Sequence, residues 1–294
     1  MKLATLAIDG VSQPVVIAPD GQGFCPLRQV LPGAGADVLS AIAAIDDPAR
    51  VLGLVGAWTP LSGHHLLAPI PRPARNIFCV GKNYHEHAKE FAQSGFDTSA
   101  VRGEMAPEFP VIFTKPFSTV IGDGDPVPAH AGLTTQLDYE AELAVIIGKP
   151  GIGISRAAAL DHVWGYCIVN DVTARDLQQR HRQWFLGKSL DGFCPMGPWI
   201  VSADEVGDSA DLNVRCWING ELRQDANTRD LIFDIPTIIE TISAGITLLP
   251  GDIIATGTPA GVGIGFKPPK FLHPGDVMKI SIDKLGTLTN LIVG

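Results

Sequence analysis

The stretch that most constrains this chain is Leu137 to Ile147, where an acidic alternation runs straight into an apolar one. The pattern reads as a β-strand, because strand side chains point alternately to opposite faces. Asp138, Glu140 and Glu142 then line one face, and Tyr139, Ala141, Leu143 and Val145 line the other. Two residues along a strand span roughly 6.6 Å, so Glu140 and Glu142 stand side by side. Carboxylates that close repel in a partly buried sheet unless a cation or a proton intervenes. Two explanations are open at this point. One is a solvated acidic face; the other is a divalent cation held by oxygen ligands, the kind Mg²⁺ prefers.

At 294 residues the chain can form one large domain, or a small one and a larger one. With 32 Gly, 23 Pro and 7% aromatics it is rich in turns, which favours a β-rich architecture with loops. A net charge of −9 argues against nucleic-acid and membrane surfaces as partners, since both need clustered Lys and Arg. Cys25, Cys79, Cys167, Cys194 and Cys216 are odd in number, widely spaced and form no C-x-x-C, as expected of small core residues in a reducing compartment. Residues 51 to 71 lack charged side chains but are interrupted by Gly, Pro, His64 and His65, which argues against a membrane span. The expected location is the cytoplasm.

Residues 1 to 20 alternate as a hairpin turning at Asp9-Gly10, and Asp37 can cap a helix over 38–45. Pro69-Ile70-Pro71-Arg72-Pro73 enforces extended backbone and marks the expected boundary near residue 72 between a small N-terminal accessory domain (1–72) and a larger catalytic one (73–294). A strand over 76–80 leads to a short helix from His85, on which His87 and Glu90, three residues apart, share a face. A carboxylate beside an imidazole raises its basicity and fixes its tautomer, as a general base requires; an exposed His–Glu pair is the plainer alternative. Residues 93 to 109 read as a loop that can form a lid.

The apolar run Val163 to Val169 is a buried strand ending at Asn170-Asp171, so Asp171 can supply a third oxygen ligand. The helix that follows places Arg175 and Gln178 on one face, where Arg175 can hold a substrate carboxylate or simply face solvent. Lys188 lies among apolar residues and calls for an anionic partner, unless its ammonium snorkels to water. The loop from Thr256 to Gly265 can bring backbone N–H groups and threonine hydroxyls to an anion, although it is neither a P-loop nor a dinucleotide fingerprint.

Taken together, G-K-N-Y-x-x-H-x-x-E at 81–90, D-Y-E-A-E-L at 138–143, N-D-V-T-A-R-D at 170–176, G-K-S at 187–189 and T-G-T-P-x-G-V-G at 256–263 resemble the fumarylacetoacetate hydrolase family. The resemblance runs from about residue 76 to the C-terminus, and residues 1–72 look like the accessory domain of two-domain members. It implies a mixed α+β, β-rich fold with a β-sandwich roll as catalytic domain, a homodimer, and Mg²⁺, with Mn²⁺ or Ca²⁺ as alternatives. Carried over, Glu140, Glu142 and Asp171 are the metal ligands, His87 and Glu90 the acid–base dyad, and Lys188 the residue that meets charge developing on the substrate. Arg175, Gln178 and Thr258 are substrate contacts. Asp138 matches no ligand position and reads as a supporting or solvated group.

One departure matters: where the founding branch has a fourth metal carboxylate, this chain has Val80. It therefore looks like the shorter, acylpyruvate hydrolase-like branch. The implied reaction is hydrolytic C–C cleavage of a small β-diketo acid of acylpyruvate or fumarylpyruvate type. Decarboxylation of an oxaloacetate-like acid, isomerisation or hydration of a 2-oxo-alkenoate, and a metal-binding scaffold without turnover are the rivals.

Overall fold

In a computed structural model the described residues are 1–34, 37–95, 106–181 and 183–294. The expected lid over 93–109 therefore falls largely outside them. In chain order the main elements are strands β1 (Lys2–Ile8), β2 (Val11–Ile17) and β3 (Gly23–Pro26), helix α1 (Val38–Ala44), strand β4 (Ile77–Gly81), helix α2 (His85–Ser94), and strands β5 (Val111–Lys115), β6 (Ala141–Ile147) and β7 (Val163–Asn170). Next come helices α3 (Arg175–Arg180) and α4 (Phe185–Lys188), strands β8 (Cys194–Ser202), β9 (Asn213–Ile218) and β10 (Glu221–Asn227), helix α5 (Ile235–Ser243), and strands β11 (Ile253–Ala255), β12 (Val277–Ile282) and β13 (Gly286–Val293).

The local chemistry of the turns accounts for many of these boundaries. Asp9 and Gly10 both take positive φ, at 51° and 76°, the type I′ geometry that joins β1 to β2; Asn219 and Gly220, at 52° and 82°, do the same between β9 and β10. Asp37 and Asp234 cap α1 and α5 by accepting from the backbone N–H of Ser40 and Thr237, and α2 stops at Gly95 with φ 82°. Arg156–His162 form a 3₁₀ segment.

Two sheets form the body of the molecule. The larger runs β3-β2-β1-β8-β7-β6-β11-β4-β5, and the smaller runs β10-β9-β12-β13. They pack face to face: Leu143, Val145, Tyr166 and Ile168 of the large sheet share one core with Val214, Cys216, Met278 and Ile280 of the small one. Strand β6 is buried on both faces, because Ala144 and Ile146 enter a second core with Cys79, Cys167 and Met196. The expected strand-rich α+β architecture is thus what the chain adopts. The large sheet continues across the expected boundary near residue 72, since β1 pairs antiparallel with β8, and Leu3, Val16 and Ile42 share the second core with Ile77, Ile146 and Val169. All five cysteines are buried and free. Among the described residues no helix is long and apolar enough to cross a membrane.

Candidate active site

Backbone register brings the acidic residues together. Strands β6 and β7 pair antiparallel with Ala141 opposite Asn170, so Glu140 and Asp171 are the next residues out, joined by an Asp171 N–H to Glu140 carbonyl bond of 2.9 Å. The expected single strand from 137 is broken: Leu137–Asp138 pairs with Thr173–Ala174, and regular structure resumes at Ala141. Glu140 and Glu142 nonetheless converge with Asp171, each offering a carboxylate oxygen, and the three oxygens lie within 4.8 Å of one another. All three side chains are buried, which rules out the solvated acidic face.

Cations and donors surround this triad. Lys188 Nζ donates to Glu140 Oε2 and Asp171 Oδ2, both at 2.7 Å. Arg175 Nε donates to Asp138 Oδ2 at 2.9 Å and Nη1 to Gln178 Oε1 at 3.1 Å, while Nη2 lies 2.7 Å from Glu140 Oε1 as an ion pair without hydrogen-bond alignment. A third cation, Lys115 at the end of β5, was not singled out by sequence. It is fully buried and donates to Asp171 Oδ1 at 2.6 Å, to the Val172 carbonyl at 3.1 Å, and to the Lys188 carbonyl. The available signal was a lysine closing an apolar strand just before Pro116.

The electrostatics separate the two glutamates. Burial alone raises the Glu140 carboxyl, but Lys188, Arg175 and His87 outweigh it and hold it down at about 2. Glu142 is pushed well up by burial, then by Asp171 and Glu140. Among the described residues its carboxylate accepts only the Gly257 N–H, at 2.8 Å, and enters no ion pair. Burial disfavours the Lys188 ammonium, yet Asp171 and Glu140 more than compensate, so Lys188 stays charged. Three hard oxygen donors, with one carboxylate lacking a cation of its own, fit a divalent metal ion.

Of the dyad, His87 faces the pocket that Glu140 and Glu142 line, with Glu90 behind it. His87 Nδ1 is 3.1 Å from Glu90 Oε2 on α2, and His87 is buried rather than exposed on the helix surface. The pocket is lined by His87, Glu140, Glu142, Arg175, Gln178, Lys188 and Thr258, with Phe91, Phe113 and Trp184 as its apolar wall. Both phenylalanine rings meet Trp184 edge-on, at 6.1 and 5.3 Å between centroids. Thr258 Oγ1 accepts from Gln224 Nε2 at 2.8 Å. Asp138 is fully buried, so it is not solvated; it accepts from Arg175 and from the Gly263 and Ile264 N–H groups.

The glycine-rich loop differs from expectation. Its N–H groups point at the protein's own carboxylates: Gly257 to Glu142, Gly261 to Glu90, and Gly263 with Ile264 to Asp138. A buried site this acidic needs donors for its lone pairs, and these backbone groups supply them.

Known proteins resemble this chain in sequence and fold. Residues 76–293 match the family model described as fumarylacetoacetate (FAA) hydrolase C-terminal. The chain is 55% identical over 232 residues to the oxaloacetate tautomerase YisK of Bacillus subtilis (strain 168), covering 79% of this chain and 74% of that one. A fumarylacetoacetate hydrolase from Exiguobacterium antarcticum superposes with a TM-score of 0.84 at 43% identity, covering 100% of this chain and 99% of the other. Maleylpyruvate hydrolase from Sphingobium sp. SYK-6, in complex with manganese(II) ion and pyruvate, gives 0.77 at 35% identity with the same coverage. Members of this group act as hydrolases, isomerases and tautomerases. The chain belongs to the fumarylacetoacetate hydrolase family.

Proposed function

We propose that this chain is a divalent-metal-dependent enzyme that moves a proton at the carbon next to the oxo group of a small 2-oxo acid, with keto–enol interconversion of an oxaloacetate-type acid as its reaction. The observation that carries this reading is a pocket lined by His87 together with Glu140 and Glu142, with Asp171 completing the buried carboxylate triad behind it and Glu90 bonded to the His87 ring. The 55% identity to an oxaloacetate tautomerase supports it. Glu140, Glu142 and Asp171 would hold Mg²⁺ or Mn²⁺, which when bound supplies Lewis acidity toward the oxygens of the acid. With Glu90 on Nδ1, the His87 Nε2 takes the proton from carbon and returns it to oxygen, a role worth about 10² to 10⁴ in rate. The Lys188 ammonium meets the negative charge that develops meanwhile. Gln178 and Thr258 line the pocket and contact the acid, and Arg175 orients it while braced by Asp138.

A second reading is hydrolytic C–C cleavage of an acylpyruvate. The same dyad can deprotonate a water instead of a carbon acid, and a maleylpyruvate hydrolase of 35% identity supports it. One screen separates the two. Metal-loaded protein is given the enol form of oxaloacetate and a panel of acylpyruvates, following loss of enol absorbance and identifying products. Accelerated enol loss with oxaloacetate as sole product supports the tautomerase, and pyruvate plus a second acid supports the hydrolase. Pyruvate with CO₂ from oxaloacetate shows a decarboxylase instead, and no turnover despite confirmed metal loading defeats every catalytic reading.

A further inference from the structure

The loop that closes the site includes two glycines required for different reasons. Gly261 has φ +100°, and a Cβ there would lie 1.9 Å from the Arg223 carbonyl oxygen, so its own backbone demands glycine. Gly265 has no such backbone constraint. A Cβ at Gly265 would lie 1.7 Å from Glu90 Oε1 and 2.3 Å from its Cδ, and the three nearest atoms all belong to Glu90. The empty space at Gly265 is therefore occupied by the Glu90 carboxylate. That carboxylate is held on both sides, by the Gly261 N–H at 3.0 Å on Oε1 and by His87 Nδ1 at 3.1 Å on Oε2.

The loop is itself fixed to the metal-site strand. Asp138, two residues before Glu140, accepts from the Gly263 N–H at 2.6 Å and the Ile264 N–H at 3.2 Å. Val262 and Ile264 pack with Phe91 and Trp184 in a small separate core, which holds α2 down on the loop. We propose that Gly265 and Gly261 form a seat that positions Glu90, and through it the His87 ring, relative to the carboxylate triad. Gly265 is a positioning residue: it touches no reacting atom and acts by leaving room for Glu90. Seated in this way, Glu90 accepts a hydrogen bond from the His87 Nδ1–H and leaves Nε2 as the basic nitrogen.

The test is a cycle of Gly265→Ala and Glu90→Ala with two readouts. In ¹⁵N-histidine-labelled protein, the His87 resonances, assigned by their loss in His87→Gln, should report the Nδ1–H tautomer in wild type and lose it in Gly265→Ala. In steady-state kinetics, Gly265→Ala should lower kcat at least about tenfold, and the double variant should be no worse than Glu90→Ala alone, because both changes remove the same contact. An unchanged tautomer in Gly265→Ala, or losses that multiply across the cycle, overturns the proposal. Only the kinetic arm rests on the proton-transfer reading of His87, so failure of that reading leaves the tautomer arm standing. If Gly265→Ala does not fold, Glu90→Ala in the same chain removes the colliding carboxylate and should restore folding. Continued failure to fold in that background also overturns the proposal.

Discussion

Replacing Glu142 by Gln should separate metal binding from folding, and the structure sets both magnitudes. Glu142 is the triad member without a cation, pushed toward its neutral form by burial and by Asp171 and Glu140. A glutamine amide is nearly isosteric with a neutral carboxyl group, and its oxygen can still accept the Gly257 N–H that Glu142 accepts at 2.8 Å. Metal-free Glu142→Gln should therefore unfold within about 0.5 kcal/mol of wild type, the ordinary scatter of a substitution that breaks no named interaction. Metal changes the comparison. A ligand that binds only the folded state, at about 100 times its Kd, stabilises by about 2.7 kcal/mol. For a chain of this size that is a rise in Tm of about 5 °C, at roughly 2 °C per kcal/mol. Thermal unfolding followed by circular dichroism, with and without Mg²⁺ or Mn²⁺ after exhaustive chelation, reads both quantities. Wild type should gain the shift and Glu142→Gln should lose it while keeping its metal-free Tm. A wild-type Tm that neither metal moves, or a variant that keeps the full shift, would refute the triad as a metal site.

Lys115→Met should lower Tm by about 6–10 °C, because removing one partner of a buried ion pair leaves Asp171 uncompensated at a cost of about 3–5 kcal/mol; a shift below about 2 °C would show that Lys188 alone neutralises Asp171. Glu90→Gln should reduce kcat by about 10² with KM nearly unchanged, since Glu90 orients the base rather than the substrate; a change confined to KM in steady-state assays contradicts that role. Residues 73–294 expressed without the first 72 should be unfolded or insoluble, because Ile77, Ile146, Val169 and Ile200 lose their packing against Leu3, Val16, Val38 and Ile42, at about 1.5–3 kcal/mol per side chain. A soluble truncation with a cooperative melt would establish the boundary near residue 72 as a division between independently folding domains.

What was legible in the sequence is what short stretches of chain determine. Asp9-Gly10 announced its hairpin because positive φ at both positions matches the twist of the flanking strands. Asp37 announced a helix start through its own side-chain geometry. His87 and Glu90 were found because residues three apart on a helix share a face, and Glu140 and Glu142 because they stand two apart in an acidic alternation, although only Glu142 lies within the strand. The break at Tyr139–Glu140 was not legible, since it depends on Leu137–Asp138 leaving the sheet to pair with Thr173–Ala174. Lys115 was missed for the same reason. Its partners, Asp171 and the Lys188 carbonyl, are 56 and 73 residues away, and nothing near Lys115 distinguishes it from a lysine ending a strand at the surface.

The glycine-rich loop shows how charge, rather than motif, decides what such a segment does. Four carboxylates, Asp138, Glu140, Glu142 and Asp171, are buried beside three cations, Lys115, Arg175 and Lys188. Lys115 and Lys188 are both spent on Asp171, and Lys188 and Arg175 both on Glu140, so Glu142 is the group left over. Backbone N–H groups can satisfy lone pairs but carry no net charge, so the Gly257 N–H hydrogen-bonds Glu142 without neutralising it. A loop whose donors are taken by Glu142, Glu90 and Asp138 has few left for an external anion. Its contribution is to hold three protein carboxylates in register, while the remaining imbalance of charge falls at Glu142, where a divalent ion gains most from entering the site.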